Sequence, residues 1–192
     1  MAGRNKQYDE QQALDRAIGV FWEKGYDHAS SRDLQTAMGI GKGSFYLAFP
    51  DGKQELFLKS MDRFFALHPL PLLDQLKTSP APLEVIRQYY YALAEAQGPF
   101  HRFGCYFANT LFQAEDTHLK TVAMQYIVRV AEAFTQVLTQ TPGAAASRAH
   151  LAPELWSVYF TTMWTGLNAT RLIEPDTAKL KQLVDSQLQL FE

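Results

Sequence analysis

Apolar positions recur at three- and four-residue intervals along most of the chain, the spacing that gathers one face of an α-helix. Between Asp9 and Lys24 this rule selects Leu14, Ala17, Ile18, Phe21 and Trp22, and Gly25 supplies a C-terminal stop. Ser30 precedes a second apolar set, Leu34, Ala37 and Met38, with Asp33 standing where a capping box puts its acidic partner. Gly39 then turns the chain into a short third helix over Lys42 to Phe49, which Pro50-Asp51-Gly52 ends. A fourth helix, Lys53 to Ala66, buries Leu56, Phe57, Met61, Phe64 and Phe65, and Pro69, Pro71, Pro80 and Pro82 are expected to break the chain after it. Further helices are predicted at about 83–97, 104–114, 117–140, 151–171 and 176–191, separated by Gly98-Pro99, Thr141-Pro142-Gly143 and Glu174-Pro175. Asp51-Gly52 has no alternating apolar run on either side, so it does not mark a hairpin. The expected fold is all-α.

Composition narrows the class without choosing a function. Hydrophobic residues make up 47% and charged residues 20%, which excludes collagen-like and disordered chains. One cysteine, Cys105, excludes an intramolecular disulfide framework and the four-thiolate zinc sites. No run approaches the roughly 18 apolar residues of a membrane span, and residues 1–10 are polar, unlike a signal peptide, so a cytoplasmic protein without a membrane partner is expected. The net charge of −2 and the eight basic against eight acidic residues among the first 60 mean that any contact with DNA depends on where charges sit, not on their sum.

Two short helices joined by a glycine turn and braced by a longer one make the geometry that presents a helix to the major groove. The residues are specific. Gly25-Tyr26, Ser30-Ser31-Arg32-Asp33-Leu34, Gly39-Ile40-Gly41-Lys42-Gly43-Ser44-Phe45-Tyr46, Phe49 and Lys53 closely resemble the TetR repressor family over about residues 9 to 60. That resemblance implies a three-helix DNA-binding head over 1–52, a helical ligand-binding and dimerisation body over 53–192, and a two-fold dimer on a palindromic operator. Carried over by position, Ser31 and Arg32 contact phosphate, and Lys42, Gly43, Ser44 and Tyr46 line the exposed face of the recognition helix. Lys53 brings an ammonium to a helix start, where it and the first backbone N–H groups would grip a phosphate. Arg4 and Lys6 would form a basic arm. Two departures stand out: Gln35 replaces a commonly small residue, and the loop Pro50-Asp51-Gly52 is one residue longer than the commonest form.

The remaining chain is rich in aromatic residues, most of which serve a core. A pocket between helices would draw on the same mixture, and Tyr89, Cys105, Phe107, Asn109, Tyr126, Met163 and Asn168 are the candidates for binding a small-molecule inducer. Cys105 follows Phe103-Gly104 at a predicted helix start near His101 and Arg102, a setting that lowers a thiol pKa; this keeps a thiol-based redox or electrophile sensor open as an alternative, beside a plain helical ligand-binding module. Apolar positions Leu155, Val158, Tyr159, Thr162, Leu180, Leu183 and Leu188 on the last two helices are the expected homodimer face. Cys105 with His101 or His118 lacks the base-and-orienter pattern of an enzyme, and His118 with Glu115 and Asp116 reads as a solvated helix end more readily than as a metal site. No cofactor is expected. The expected function is that of a ligand-responsive DNA-binding regulator, most simply a repressor, and not an enzyme.

Overall fold

The computed structural model describes residues 9–95, 102–141 and 151–192. Among these the chain forms ten α-helices: α1 Glu10–His28, α2 Ser31–Met38, α3 Lys42–Ala48, α4 Lys53–Leu67, α5 Pro69–Thr78, α6 Pro82–Ala94, α7 Tyr106–Gln113, α8 Thr117–Gln140, α9 Trp156–Thr170 and α10 Thr177–Leu188. Short 3-10 turns at Pro153–Leu155 and Gln189–Phe191 flank the last pair. No strand occurs among the described residues. The expected Arg4–Lys6 arm, His101, and the breaks at 98–99 and 142–143 lie outside them.

Local chemistry starts the head. Asp9 accepts the backbone N–H groups of Gln11 and Gln12 at 2.9 and 3.2 Å, capping α1. At Gly25 the helical path is interrupted, with φ 74° and ψ 167°, and the chain continues through a final turn to His28. Ser30 and Asp33 complete the capping box in both directions, Ser30 Oγ accepting from the Asp33 N–H at 3.1 Å and Asp33 accepting from the Ser30 N–H at 3.2 Å. The Ser30 hydroxyl, the Lys24 ammonium and the Ser30 N–H together hold the Asp33 carboxylate down to about 2. Gly39 ends α2 in the left-handed region, φ 69° and ψ 30°, where a side chain would be strained, and the chain turns there towards α3. Leu34, Met38, Phe45 and Phe49 are buried beneath the two short helices.

The proline-rich stretch does not break the chain as expected. Pro69 and Pro71 both fall in the first turn of α5, where backbone N–H groups have no acceptor within the helix, so the missing donors cost nothing there. Pro82 opens α6 by the same rule, and only Ser79–Ala81 forms a true break. The predicted 151–171 helix is likewise shorter: a 3-10 turn opening at Pro153 precedes α9, which begins at Trp156.

In the body, α7 and α9 pack on α8, and α10 packs on α6. This arrangement corrects part of the expected dimer face. Leu180 and Leu188 are 3% and 0% exposed, turned into the protomer's own core, and the Tyr159 hydroxyl donates to the Gln187 carbonyl at 2.8 Å. Leu155, Val158, Thr162 and Leu183 remain on the outside with Leu172 and Ile173, the last 83% exposed.

Head and body meet through buried polar contacts set among aromatic rings. The Trp22 indole N–H donates to the Gly104 carbonyl at 3.0 Å, and beside that bond, within the body, Ser60 Oγ of α4 lies 2.7 Å from the Tyr106 hydroxyl of α7. Trp22 and Phe64 meet edge to face at 5.1 Å, and Phe64 packs on Tyr106 at the same distance. Gly104 holds φ 76°, which only glycine adopts without strain, and this backbone presents its carbonyl to Trp22. Nearer the surface, Arg63 grips Asp15 with two bonds at 2.8 and 3.0 Å, Gln54 donates to Asp116 at 2.9 Å and the Glu115 N–H donates to Asp27 at 2.9 Å. Because Ser60 also donates to the Phe57 carbonyl at 2.6 Å, Ser60→Ala strands the Tyr106 hydroxyl in an apolar setting, whereas Tyr106→Phe leaves Ser60 its own acceptor. Urea denaturation is expected to show a loss of about 1–3 kcal/mol for Ser60→Ala and a smaller loss for Tyr106→Phe.

Candidate functional site

The outward face of α2 and α3 carries most of the expected contact residues. Phe45 and Phe49 are fully buried and hold α3 by one side, which turns Lys42, Gly43, Ser44 and Tyr46 outward. Leu47 projects beside them, 85% exposed, an unusual position for a leucine unless something apolar meets it. Arg32 is exposed and Ser31 half-buried at the start of α2. The Tyr46 ring rests edge-on against Phe45 at 5.2 Å, and a Cβ at Gly52 would lie 3.6 Å from it, so the longer loop seats this phenol. Sequence reasoning does not single out Arg16, whose guanidinium stands 3.5 Å from the Cβ position of Gly39, beside the turn between the two helices. The available signal is its place on the exposed side of α1, between Asp15 and the buried Ala17, which marks a solvated cation without showing what lies opposite it.

Lys53 differs from expectation. Its ammonium donates to the Tyr26 carbonyl at 3.0 Å and lies 4.3 Å from the centre of the Tyr26 ring, so it braces the start of α4 against the end of α1. Several acidic groups of the head and of α4 are also committed internally: Asp15 to Arg63, Asp33 to Lys24 and the α2 cap, Glu55 to Lys59 and the Asp51 N–H. Arg32 and Lys42 are exposed cations on the α2–α3 face, away from these pairs.

Behind the head, α4 to α9 line a partly open cavity of about 250 Å³. Tyr89, Cys105, Phe107 and Tyr126 line it, together with Phe64, His68, Phe134 and Trp164. Phe107 and Tyr126 stack at 4.8 Å, and Phe134 meets Phe160 edge to face at 5.5 Å. Asn109, Met163 and Asn168 are not in its wall. Asn109 donates to the Phe103 carbonyl at 2.6 Å, Asn168 donates back to Trp164 one turn earlier at 3.0 Å, and Met163 is buried in the core. Phe64 and His68 carry an i,i+4 signature on α4 that marks one shared face, but that spacing alone does not separate a cavity wall from a packed core.

The electronic expectation for Cys105 reverses. The thiol is 8% exposed, and burial pushes its pKa up to about 11, outweighing the N–H groups of Ala108 and Phe107 that point at the sulfur. Arg102 is exposed, stacked 4.8 Å over Phe103 and paired with Glu23 at 3.5 Å, so its charge is spent at the surface. Burial also lowers the pKa of His68 and raises that of Tyr89. No group of three His, Cys, Asp or Glu among the described residues is placed to hold a metal ion: Asp116 caps α8 through His118 and Leu119. No helix among them is long and apolar enough to cross a membrane.

Residues 13–59 match the family model of the bacterial regulatory proteins of the tetR family. The chain is 30% identical over 112 residues to the uncharacterized HTH-type transcriptional regulator YezE of Bacillus subtilis, a match spanning 58% of this chain and 57% of that one. It is 25% identical to the HTH-type transcriptional repressor DhaR of a Mycobacterium species, over 91% of this chain and 87% of that one. Its fold is shared with the solved TetR family transcriptional regulator CifR, a cysteine mutant complexed with 26 bp double-strand operator DNA, at a TM-score of 0.79 and 22% identity over 98% of this chain and 100% of that one. Residues 13–59 thus carry a helix-turn-helix of the tetR family type, and the chain as a whole is similar in sequence and fold to transcriptional regulators with that head.

Proposed function

We propose that this regulator is a repressor: a cytoplasmic homodimer that holds a palindromic double-stranded DNA operator and releases it when a small molecule fills the body cavity. The observation that carries this reading is the adjacency of the two sites in the chain. Cys105 lines the cavity, and its neighbour Gly104 takes the indole N–H of Trp22, on the inner face of α1. A ligand that shifts the start of α7 therefore acts on the head through one peptide unit. Phe64 supports the same route, since α4 carries it in the cavity wall and against Trp22. Such a population shift typically amounts to about 1–3 kcal/mol, a 5- to 150-fold change in operator affinity.

In this reading residues 1–52 form the DNA-binding head and 53–192 the sensing and dimerising body, with α4 as the lever between them. Ser31 and Arg32 grip phosphate, while Lys42, Gly43, Ser44 and Tyr46 meet the major groove, with Leu47 against a thymine methyl. Lys53 acts indirectly, holding α4 to Tyr26, and leaves only the first backbone N–H groups of α4 to a phosphate. Leu155, Val158, Thr162 and Leu183 pair with their two-fold copies, and the exposed Leu172 and Ile173 extend that face.

Changing Arg32, Lys42 and Tyr46 together to alanine is expected to weaken operator binding by roughly 100-fold or more in a gel shift. It should also flatten the dependence on salt by about one logarithmic unit per lost phosphate contact. An unchanged affinity would contradict these DNA contacts. The thiol-sensor alternative is tested separately. With a folded pKa of about 11, Cys105 is ionised to about one part in a thousand at pH 8, so iodoacetamide should leave it unmodified in the folded chain and alkylate it in denaturant. Rapid alkylation of the native protein at pH 8 would restore that alternative.

A further inference from the structure

If the cavity is the effector site, the reading on which the inference rests, its wall specifies the class of ligand as well as its presence. No Lys, Arg, Asp or Glu lines it among the described residues. The titratable groups that do line it are held neutral near pH 7: burial raises the thiol of Cys105 and the phenols of Tyr89, Tyr90 and Tyr126, and lowers His68. Charged groups come near only from outside the wall. Asp62 accepts the Tyr126 hydroxyl, Arg129 lies 4.5 Å over Phe65, and Arg171 is buried behind Cys105 without lining the space. A ligand carboxylate or phosphate would lose its water here and meet no opposite charge in the wall.

Most hydroxyls in the wall are already committed. Tyr90 donates to the Phe160 carbonyl at 2.9 Å, Thr161 to the Ser157 carbonyl at 2.9 Å and Tyr126 to Asp62. Tyr89 differs. The side chain that approaches its oxygen, Trp164, offers an indole N–H, itself a donor, so the Tyr89 hydroxyl proton has no acceptor among the described residues. Tyr89 is fixed by edge contacts to Tyr90 at 5.3 Å and Phe134 at 5.6 Å, and thus a rigid, neutral donor faces an otherwise apolar space.

Size and shape complete the description. At about 250 Å³ the cavity exceeds the roughly 150 Å³ that accommodates benzene in an engineered protein core, which leaves room for one substituted ring or two fused rings. Ring faces and edges of Phe107, Tyr126, Phe134 and Trp164 surround it. We infer that the effector is an uncharged aromatic molecule of one or two rings carrying a hydrogen-bond acceptor, such as a carbonyl oxygen, that takes the Tyr89 hydroxyl proton. Among the described residues the wall offers neither the room for a long acyl chain nor a cation for an anionic head, so such ligands are expected to bind weakly.

Isothermal titration of the full chain with four compounds tests this: 2-acetylnaphthalene, 2-ethylnaphthalene, 2-naphthoate and palmitate. The acetyl compound is expected to bind about tenfold more tightly than its ethyl analogue, the worth of one well-made hydrogen bond, and the two carboxylates at least 100-fold more weakly. Tyr89→Phe should abolish the preference for acetyl over ethyl while leaving the ethyl compound's affinity unchanged, a pattern that simple loss of folding would not produce. Carboxylates binding as tightly as the ketone, a preference that survives Tyr89→Phe, or no binding by either neutral compound would overturn the inference. A gel shift with operator DNA on the same samples separates the two levels. Binding of the ketone without release of DNA upholds the ligand class and counts against the inducer mechanism, whereas DNA binding with no neutral aromatic bound overturns the ligand class alone.

Discussion

The indole N–H of Trp22 and the carbonyl of Gly104 share one buried hydrogen bond on which the relation of head to body depends. A polar pair in an apolar setting tolerates little drift, because separating its partners leaves two groups without water or replacement. The surrounding rings of Phe64, Phe103 and Tyr106 exclude solvent from that bond, and the Ser60–Tyr106 contact repeats the same logic one turn away along α4. Surface pairs such as Arg63–Asp15 add orientation at small energetic gain. The junction is therefore a short contact through which the segment before α7 touches α1 directly.

The cavity sits against that link and is chemically plain. Its wall holds aromatic carbon, a thiol kept neutral by burial, and one phenol with an unclaimed proton. Plainness is informative, because a wall with no Lys, Arg, Asp or Glu among the described residues disfavours charged ligands. The same burial that removes Cys105 from thiolate chemistry makes it a packing surface at the Gly104 end of the pocket.

Features governed by neighbours in the sequence are legible without a structure. The Ser30–Asp33 capping box, the left-handed turn at Gly39 and the burial of Leu34 and Met38 are decided within a few residues, and α8 runs over the predicted 117–140 span. Helix α5 escapes a reading in which proline is a breaker, because Pro69 and Pro71 occupy a first turn that needs no donor. The inward turn of the Lys53 ammonium is hidden because its acceptor, Tyr26, belongs to another helix. Asn168 and Met163 share α9 with the cavity residue Trp164, but the rotation of that helix against α8 decides which of its faces meets the cavity. For Cys105 the sequence shows a helix start and nearby cations, and only tertiary burial reveals that desolvation outweighs both.

The central claim is that pocket and operator communicate through the Trp22–Gly104 bond. Operator affinity measured with and without saturating 2-acetylnaphthalene, in the native chain and in Trp22→Phe, tests it most directly, because phenylalanine keeps an aromatic ring in the cluster and removes the donor. The account predicts that Trp22→Phe still binds both the operator and the ketone while the effect of one on the other falls to near unity. A coupling in Trp22→Phe equal to that of the native chain would contradict it.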